Sequence, residues 1–330
     1  MKLKALAGIL GSIFLVLFLA SCGGDSGSSS SETPPTPSEL IKKASDASSS
    51  KPTVMAKGSF SGSINANITS NGTSAMDTGG EKSIAFDFDT TTPTDMEDGA
   101  NTVGEFNIND NIHFVADGSD SSYITIDGYK PIKVANEELA SQAGDVSTSA
   151  EAVNLDQYQE LLGGLSDTLA EGATVSEGDS VDGQSTWKMD VNLENIDYRK
   201  ALDQYADLVF DLSKQQDTSS NPQVEKEVEQ IQKQMKEGIQ NISDEDLDLV
   251  KQVMSNIDIS MQFYQDSGLM ASTSTSASMD KAVLDSIIAK VPDQGASKPV
   301  VSEDTAMKFD MNYDLSYSDE IFKPTVPAGA

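Results

Sequence analysis

The stretch from Met307 to Tyr317 alternates without a break. Met307, Phe309, Met311, Tyr313, Leu315 and Tyr317 are apolar or aromatic, with Lys308, Asp310, Asn312, Asp314 and Ser316 between them. Successive side chains of a strand point to opposite faces, so this segment can bury one side only as a strand in a two-faced sheet. A second run near the other end does the same. Val54, Ala56, Phe60, Ile64, Ala66 and Ile68 share a register with Gly58 and Gly62, against Lys57, Ser59, Ser61, Ser63, Asn65 and Asn67. That run is longer than most strands, and interior glycines usually mark bends or bulges, so strong curling is expected there.

Shorter alternations fill the middle of the chain. Ile84, Phe86 and Phe88 make one; Phe106 and Ile108, then Ile112, Phe114 and Ala116, make two more. Ile124 and Ile126 run into Asp127-Gly128, which predicts a two-residue hairpin turn. Trp187, Met189, Val191 and Leu193 form another strand. Ile257, Ile259, Met261 and Phe263 run through Gln265-Asp266-Ser267-Gly268 into a returning strand, Leu269 to Met279.

Helical spacing interrupts these strands. Thr36-Pro37-Ser38-Glu39 supplies a cap, a first-turn proline and a capping-box glutamate, which predicts a helix over 37–48. Leu155, Tyr158, Leu161, Leu162, Leu165 and Leu169 share one face after Asn154, and Tyr198, Leu202, Tyr205, Val209 and Leu212 share another. Asn221-Pro222 opens a helix with a narrow stripe from Val224 to Ile239. Ser243 caps the next, which carries Leu247, Val250, Val253 and Met254, and a short one covers about 282–290. The fold class is α+β: an antiparallel sheet with one polar and one apolar face, the apolar face covered by helices. No internal repeat and no second linker appear, so residues 38–330 read as one domain with a helical insertion at about 198–256.

Charge and residue usage exclude several functions. The 330-residue chain carries 53 acidic and 22 basic side chains, a net charge of −31, which opposes binding to nucleic acid. His113 is the sole histidine, too few for a histidine-based triad or a His-rich metal site. It lies between Ile112 and Phe114, as the solvent-facing residue of a strand would. Gly79-Gly80-Glu81-Lys82-Ser83 lacks phosphate-loop spacing, and Asp95 to Gly99 lacks the register of a calcium loop. No carboxylate pair stands out as catalytic. The chain reads as a non-enzyme, with no cofactor and no metal expected.

The N-terminus carries an address. Lys2 and Lys4 precede an uncharged run, Ala5 to Ala20, that spans roughly 24 Å as a helix, short of the ~30 Å bilayer core. Basic, apolar and then small residues read as an export signal over 1–21. The signal ends in Leu19-Ala20-Ser21-Cys22, which resembles the bacterial lipobox. Cys22 is the only cysteine of the chain, so no intramolecular disulfide explains it. A diacylglyceryl group on Cys22 does, because two acyl chains hold a membrane stably where one does not. Residues 22–37 then form a Ser/Gly/Pro tether, and loss of Lys2 and Lys4 takes the mature chain to about −33.

Three stretches carry a wider likeness: Leu40-Ile41-Lys42-Lys43-Ala44, Tyr264-Gln265-Asp266-Ser267-Gly268-Leu269, and Ile321-Phe322-Lys323-Pro324. With the lipoprotein leader, the long first strand and the inserted helices, the chain resembles the LolA/LolB–LppX superfamily, LppX/LprAFG-like lipid-binding half-barrels of the bacterial envelope. The likeness covers 38–326 as a pattern; the hairpin lacks the family's proline after the turn, and the block from Tyr198 to Asn256 is long. The resemblance implies a strongly curved half-barrel with helices on its concave face. It also implies an apolar ligand, a lipid or lipopeptide, carried between sheet and helices by a monomer anchored outside the cytoplasmic membrane. The expected lining is Phe60, Ile64, Phe86, Phe88, Phe114, Trp187, Met189, Met261, Phe263, Met307, Phe309 and Met311. The same side chains would also serve as a filled core, in which case the domain is a tethered interaction or stress-sensing module. The helices over 222–256 would be a movable lid or a static cover.

The anchor is directly testable. The full chain expressed in a bacterial host should incorporate labelled palmitate and partition into the detergent phase of a cloud-point extraction. Cys22→Ser should lose both properties.

Overall fold

The computed structural model describes residues 33–70, 73–93, 103–117, 121–127, 129–135, 168, 170–204, 206–207, 222–289 and 299–327. The signal segment, Cys22, the tether up to residue 32 and the expected stripe from Leu155 to Leu165 lie outside the described residues, as do Leu169, Tyr205, Val209 and Leu212.

The first helix, α1 (Pro37–Ser49), starts where the sequence places it. Thr36 Oγ1 accepts from the Glu39 N–H at 3.3 Å, and the Thr36 N–H donates to Glu39 Oε2 at 2.8 Å. These bonds hold the Glu39 carboxyl below its usual range. Leu40 and Ala44 face inward and are buried.

The strands follow as β1 (Thr53–Asn65), β2 (Asn67–Ser70), β3 (Thr73–Asp77), β4 (Lys82–Pro93), β5 (Val103–Ile108), β6 (Ile112–Asp117), β7 (Ser121–Ile126), β8 (Ile132–Ala135), β9 (Ala173–Val181) and β10 (Gln184–Asn192). A 3₁₀ turn (Leu193–Asn195), α2 (Pro222–Gln240) and α3 (Asp244–Met254) come next. After them lie β11 (Ile257–Tyr264), β12 (Met270–Asp280), α4 (Lys281–Ala289), β13 (Val300–Val301) and β14 (Ala306–Ser318). Residues 198–204 and 206–207 are also helical.

An eleven-stranded antiparallel sheet has the order β8-β7-β6-β5-β4-β1-β14-β12-β11-β10-β9. Among the described residues it is open, with β8 and β9 as its edges. The long alternating runs at the two ends of the chain pair directly, from Thr53↔Ser318 to Asn65↔Ala306, and β4 lies along the other side of β1. The register passes Gly58 and Gly62 without a shift, so neither glycine marks a bulge. Gly58 instead serves close approach. A Cβ there would stand 2.2 Å from Asn312 O and 2.5 Å from Tyr313 Cβ. The bare backbone admits Tyr313 beside it.

The sequence predicts one strand through Ile68, but the chain changes sheets at Ala66. Ala66 is fully buried; its carbonyl accepts from the Thr78 N–H at 2.9 Å, and its N–H donates to Thr78 Oγ1 at 3.1 Å. β2 then pairs with β3 and β13 in a separate three-stranded sheet. Alternation stays in phase through Ile64, Ala66 and Ile68, so periodicity carries no sign of the change of partner. The strand β9 was not legible either; Asp182 (φ 51°) and Gly183 (φ 77°) form the tight turn that joins it to β10. At Asp127-Gly128 the Tyr129 N–H reaches Ile126 O at 2.9 Å, but β7 and β8 pair from Ile124↔Ile132, a longer connection than two residues.

After β14 the chain crosses back over the sheet's end. Thr53 Oγ1 donates to Glu320 O at 2.7 Å and accepts from the Phe322 N–H at 2.9 Å, and the Thr325 N–H donates to Glu105 Oε1 at 2.8 Å.

Two glycine substitutions should act in opposite directions. Gly58→Ala forces a methyl into the β14 backbone and is expected to cost about 1–3 kcal/mol. Gly238 in α2 has open space around its Cβ position, so Gly238→Ala should add about 0.5–1 kcal/mol. Urea unfolding midpoints measure both.

Candidate functional site

Pairing register collects every expected lining residue on one face of the large sheet. Phe86, Phe60 and Met311 stand side by side in one row, and Ile64 faces Met307 in another. Trp187 faces Phe263 and Met189 faces Met261, while a single row runs from Ile108 through Phe88, Gly58, Tyr313 and Thr273 to Met261. Phe114 joins this face through Phe106. The opposite face carries Lys57, Ser59, Asp87, Asn312, Ser274 and their neighbours in phase.

The β9–β11 end of the apolar face is sealed. Trp187, Met189, Met261 and Phe263 belong to a buried cluster with Leu40 and Ala44 of α1, Met254 of α3, and Leu193, Ile196 and Tyr198. The buried Tyr198 hydroxyl donates to Leu193 O at 2.6 Å, and burial pushes its phenol pKa well up.

The cover is fastened by one arginine. Arg199 Nη1 donates to Ile239 O (3.0 Å) and Gln240 O (2.8 Å), and Nη2 donates to Ile242 O (2.9 Å) and Asp244 Oδ1 (3.2 Å). The guanidinium thus satisfies the carbonyls at the end of α2 and ties the α2–α3 corner to the helical residues after the 3₁₀ turn. Ser243 caps α3 as expected, its Oγ accepting from the Asp246 N–H at 3.2 Å.

The remaining candidate residues lie on the β1–β14–β4–β6 part of the face and are less enclosed. Phe60, Ile64, Phe86, Phe114, Met307, Phe309 and Met311 are half-buried, and Phe88 alone among them is buried. Phe60 and Phe86 stack with centroids 5.1 Å apart, and Phe88 lies 6.3 Å from Phe106. Beyond them Ile84 is 58% exposed and Ile132 51% exposed, with Ile112 and Ile126 also exposed. Phe106, Ile84, Ile112, Ile126 and Tyr313 share this face, and the same alternation that selected Phe86 and Phe114 selects them. Burial raises the Tyr313 phenol to about 12, against a smaller opposing effect of its hydrogen bond with Thr273.

His113 lies on the other face, half-buried, with Nε2 3.5 Å from Glu105 Oε2. Among the described residues no group of His, Cys, Asp or Glu side chains could hold a metal ion, and no helix is long and apolar enough to cross a membrane. Two open grooves, of about 560 and 470 Å³, lie on the polar face.

No family model matches the chain, and no curated protein matches it. Among solved structures, the outer membrane protein OprG of Pseudomonas aeruginosa aligns over 81% of this chain and 98% of its own, at 6% identity and a TM-score of 0.10, a likeness too slight to carry an argument.

Alkaline pH tests the packing around Tyr313. A phenol raised from 10.0 to about 12 contributes stability that is complete below pH 10 and is lost as pH climbs through 12. Unfolding free energy should therefore fall by up to about 3 kcal/mol over that window on account of this group. Tyr313→Phe should flatten the slope, read from urea midpoints alongside phenolate absorbance.

Proposed function

We propose that this chain is a membrane-anchored envelope lipoprotein that binds or carries a lipid or another acylated apolar ligand, held against the apolar face of the sheet. The observation that supports this reading is the unequal cover of one continuous apolar face. Trp187, Met189, Met261 and Phe263 are sealed by α1 and α3, while Phe60, Phe86 and Met311 are only half-buried and Ile84 and Ile132 stand open. An acyl chain laid along the open stretch would bury apolar area that is now wet. About fifteen methylenes are nominally worth ~12 kcal/mol. Association costs roughly 4–15 kcal/mol, so the balance suits reversible carriage. Methionines at 307 and 311 add adaptable surface for varied chains.

In this reading the sheet curls into a half-barrel of the LolA/LolB–LppX type with helices on its concave face. The diacylglyceryl group on Cys22 places it on the outer side of the cytoplasmic membrane, as a monomer without enzymatic activity. The sealed packing around Met189 favours a second reading, a tethered interaction module whose core is filled.

Native mass spectrometry of residues 37–330, followed by solvent extraction, separates the two. The carrier should retain extractable lipid and bind a fluorescent fatty acid after delipidation; Phe86→Ala should weaken that binding about tenfold while leaving the fold intact. A lipid-free protein that ignores the probe overturns the carrier reading.

A further inference from the structure

From β9 to β5 the reverse face of the sheet is polar, whereas at β6 and β7 it carries the buried Val115 and Tyr123. One row runs Asp87, Ser59, Asn312, Ser274, Ser260 and Asp190 across consecutive strands. No large apolar side chain stands in that row. Ser59, Asp87, Asn312 and Ser274 are exposed, so the row is open to solvent.

The two grooves follow this row. The first is lined by residues of β5, β4, β1 and β14, including Asn107, Asp87, Ser59 and Asn312. The second is lined by residues of β12, β11, β10 and β9, including Ser274, Ser260, Asp190 and Thr174. They share no lining residue, but Asn312 of the first pairs with Ser274 of the second, so the two lie in line and mark a furrow across eight strands of the sheet. At about 4.8 Å between strands its length is roughly 34 Å, the span of about ten extended residues.

Its charge is one-sided. The first groove sets Lys57 against Asp87, Asp89, Asp110 and Asp314; the second sets Lys188 against Asp190, Glu194 and Asp258. Lys188 is already engaged with Asp190 at 2.9 Å. Among the described residues, Asp87, Asp110, Asp258 and Asp314 are in no ion pair. Serine and asparagine between these carboxylates supply hydrogen-bonding groups along the row.

We propose that this furrow is a docking surface for an extended, lysine- or arginine-rich polypeptide segment that crosses the strands. Ammonium and guanidinium groups at intervals of two residues, roughly 6–7 Å in an extended chain, would meet carboxylates distributed along the furrow. The hydroxyls and amides would take the peptide groups between them. The surface is the reverse side of the sheet from the acyl site, so it stands whether or not that site carries lipid.

The test uses the full mature chain in a neutral maltoside detergent and a fluorescein-labelled decalysine probe, read by anisotropy. Binding is expected at 0.05 M salt and should be lost at 0.5 M. The combined variant Asp87→Asn, Asp110→Asn, Asp258→Asn and Asp314→Asn should weaken it about 30-fold. A control with the same change in net charge away from the furrow, Glu81→Gln, Glu177→Gln, Asp248→Asn and Glu320→Gln, should weaken it less than about threefold. Circular dichroism checks that both variants fold. Equal losses in the two variants would reduce the effect to net charge on a solvated face and overturn the proposal. So would a neutral glucan that displaces the probe, which would make the furrow a polysaccharide site instead.

Discussion

Cross-strand pairing along β1 is the constraint on which the rest of the molecule depends. β14 from one end of the chain and β4 from the other side hydrogen-bond to it along nearly its whole length. Because the side-chain period is two, a slip of one residue in either ladder would move every aromatic of that strand to the polar face. Tyr313 packed beside the bare backbone of Gly58 adds to the specificity of the register, since other registers would put a side chain where this approach is made. Both chemically distinct surfaces of the protein follow from this alignment.

The helices act on that plan unequally. α1 and α3 complete a core over β9–β11, where Met189 and Leu193 are almost fully buried. Over β4–β8 the same face keeps exposed isoleucines at several strand ends. Arg199 makes the covered side durable by bonding the carbonyls that close α2, so the α2–α3 corner is held by charge-assisted hydrogen bonds as well as by packing. The chain thereby joins a sealed, structural half to a more accessible one within a single sheet.

Much of this was legible residue by residue. Thr36, Pro37 and Glu39 announced α1, Ser243 announced α3, and the alternation at 307–317 announced β14 within a residue of its ends. The residues expected as lining do share one face of the sheet, because period two leaves no freedom about which side a strand residue takes. What stayed hidden depends on partners. The exit of β2 at Ala66 keeps the alternation intact, and β9 has the pattern Ala-Thr-Val-Ser-Glu-Gly-Asp-Ser-Val, too polar to announce a strand. The glycines of β1 suggested bulges, yet what Gly58 meets is a residue more than two hundred positions away.

The sequence by itself determined the local elements, the two-faced character of the strands and the chemical identity of each face, since these follow from side-chain spacing and caps within a few residues. Only the tertiary structure decided strand order, which half of the apolar face is sealed, and that carboxylates from separate strands share one furrow. Those depend on contacts between segments far apart in the chain, and neither periodicity nor composition records which strands become neighbours.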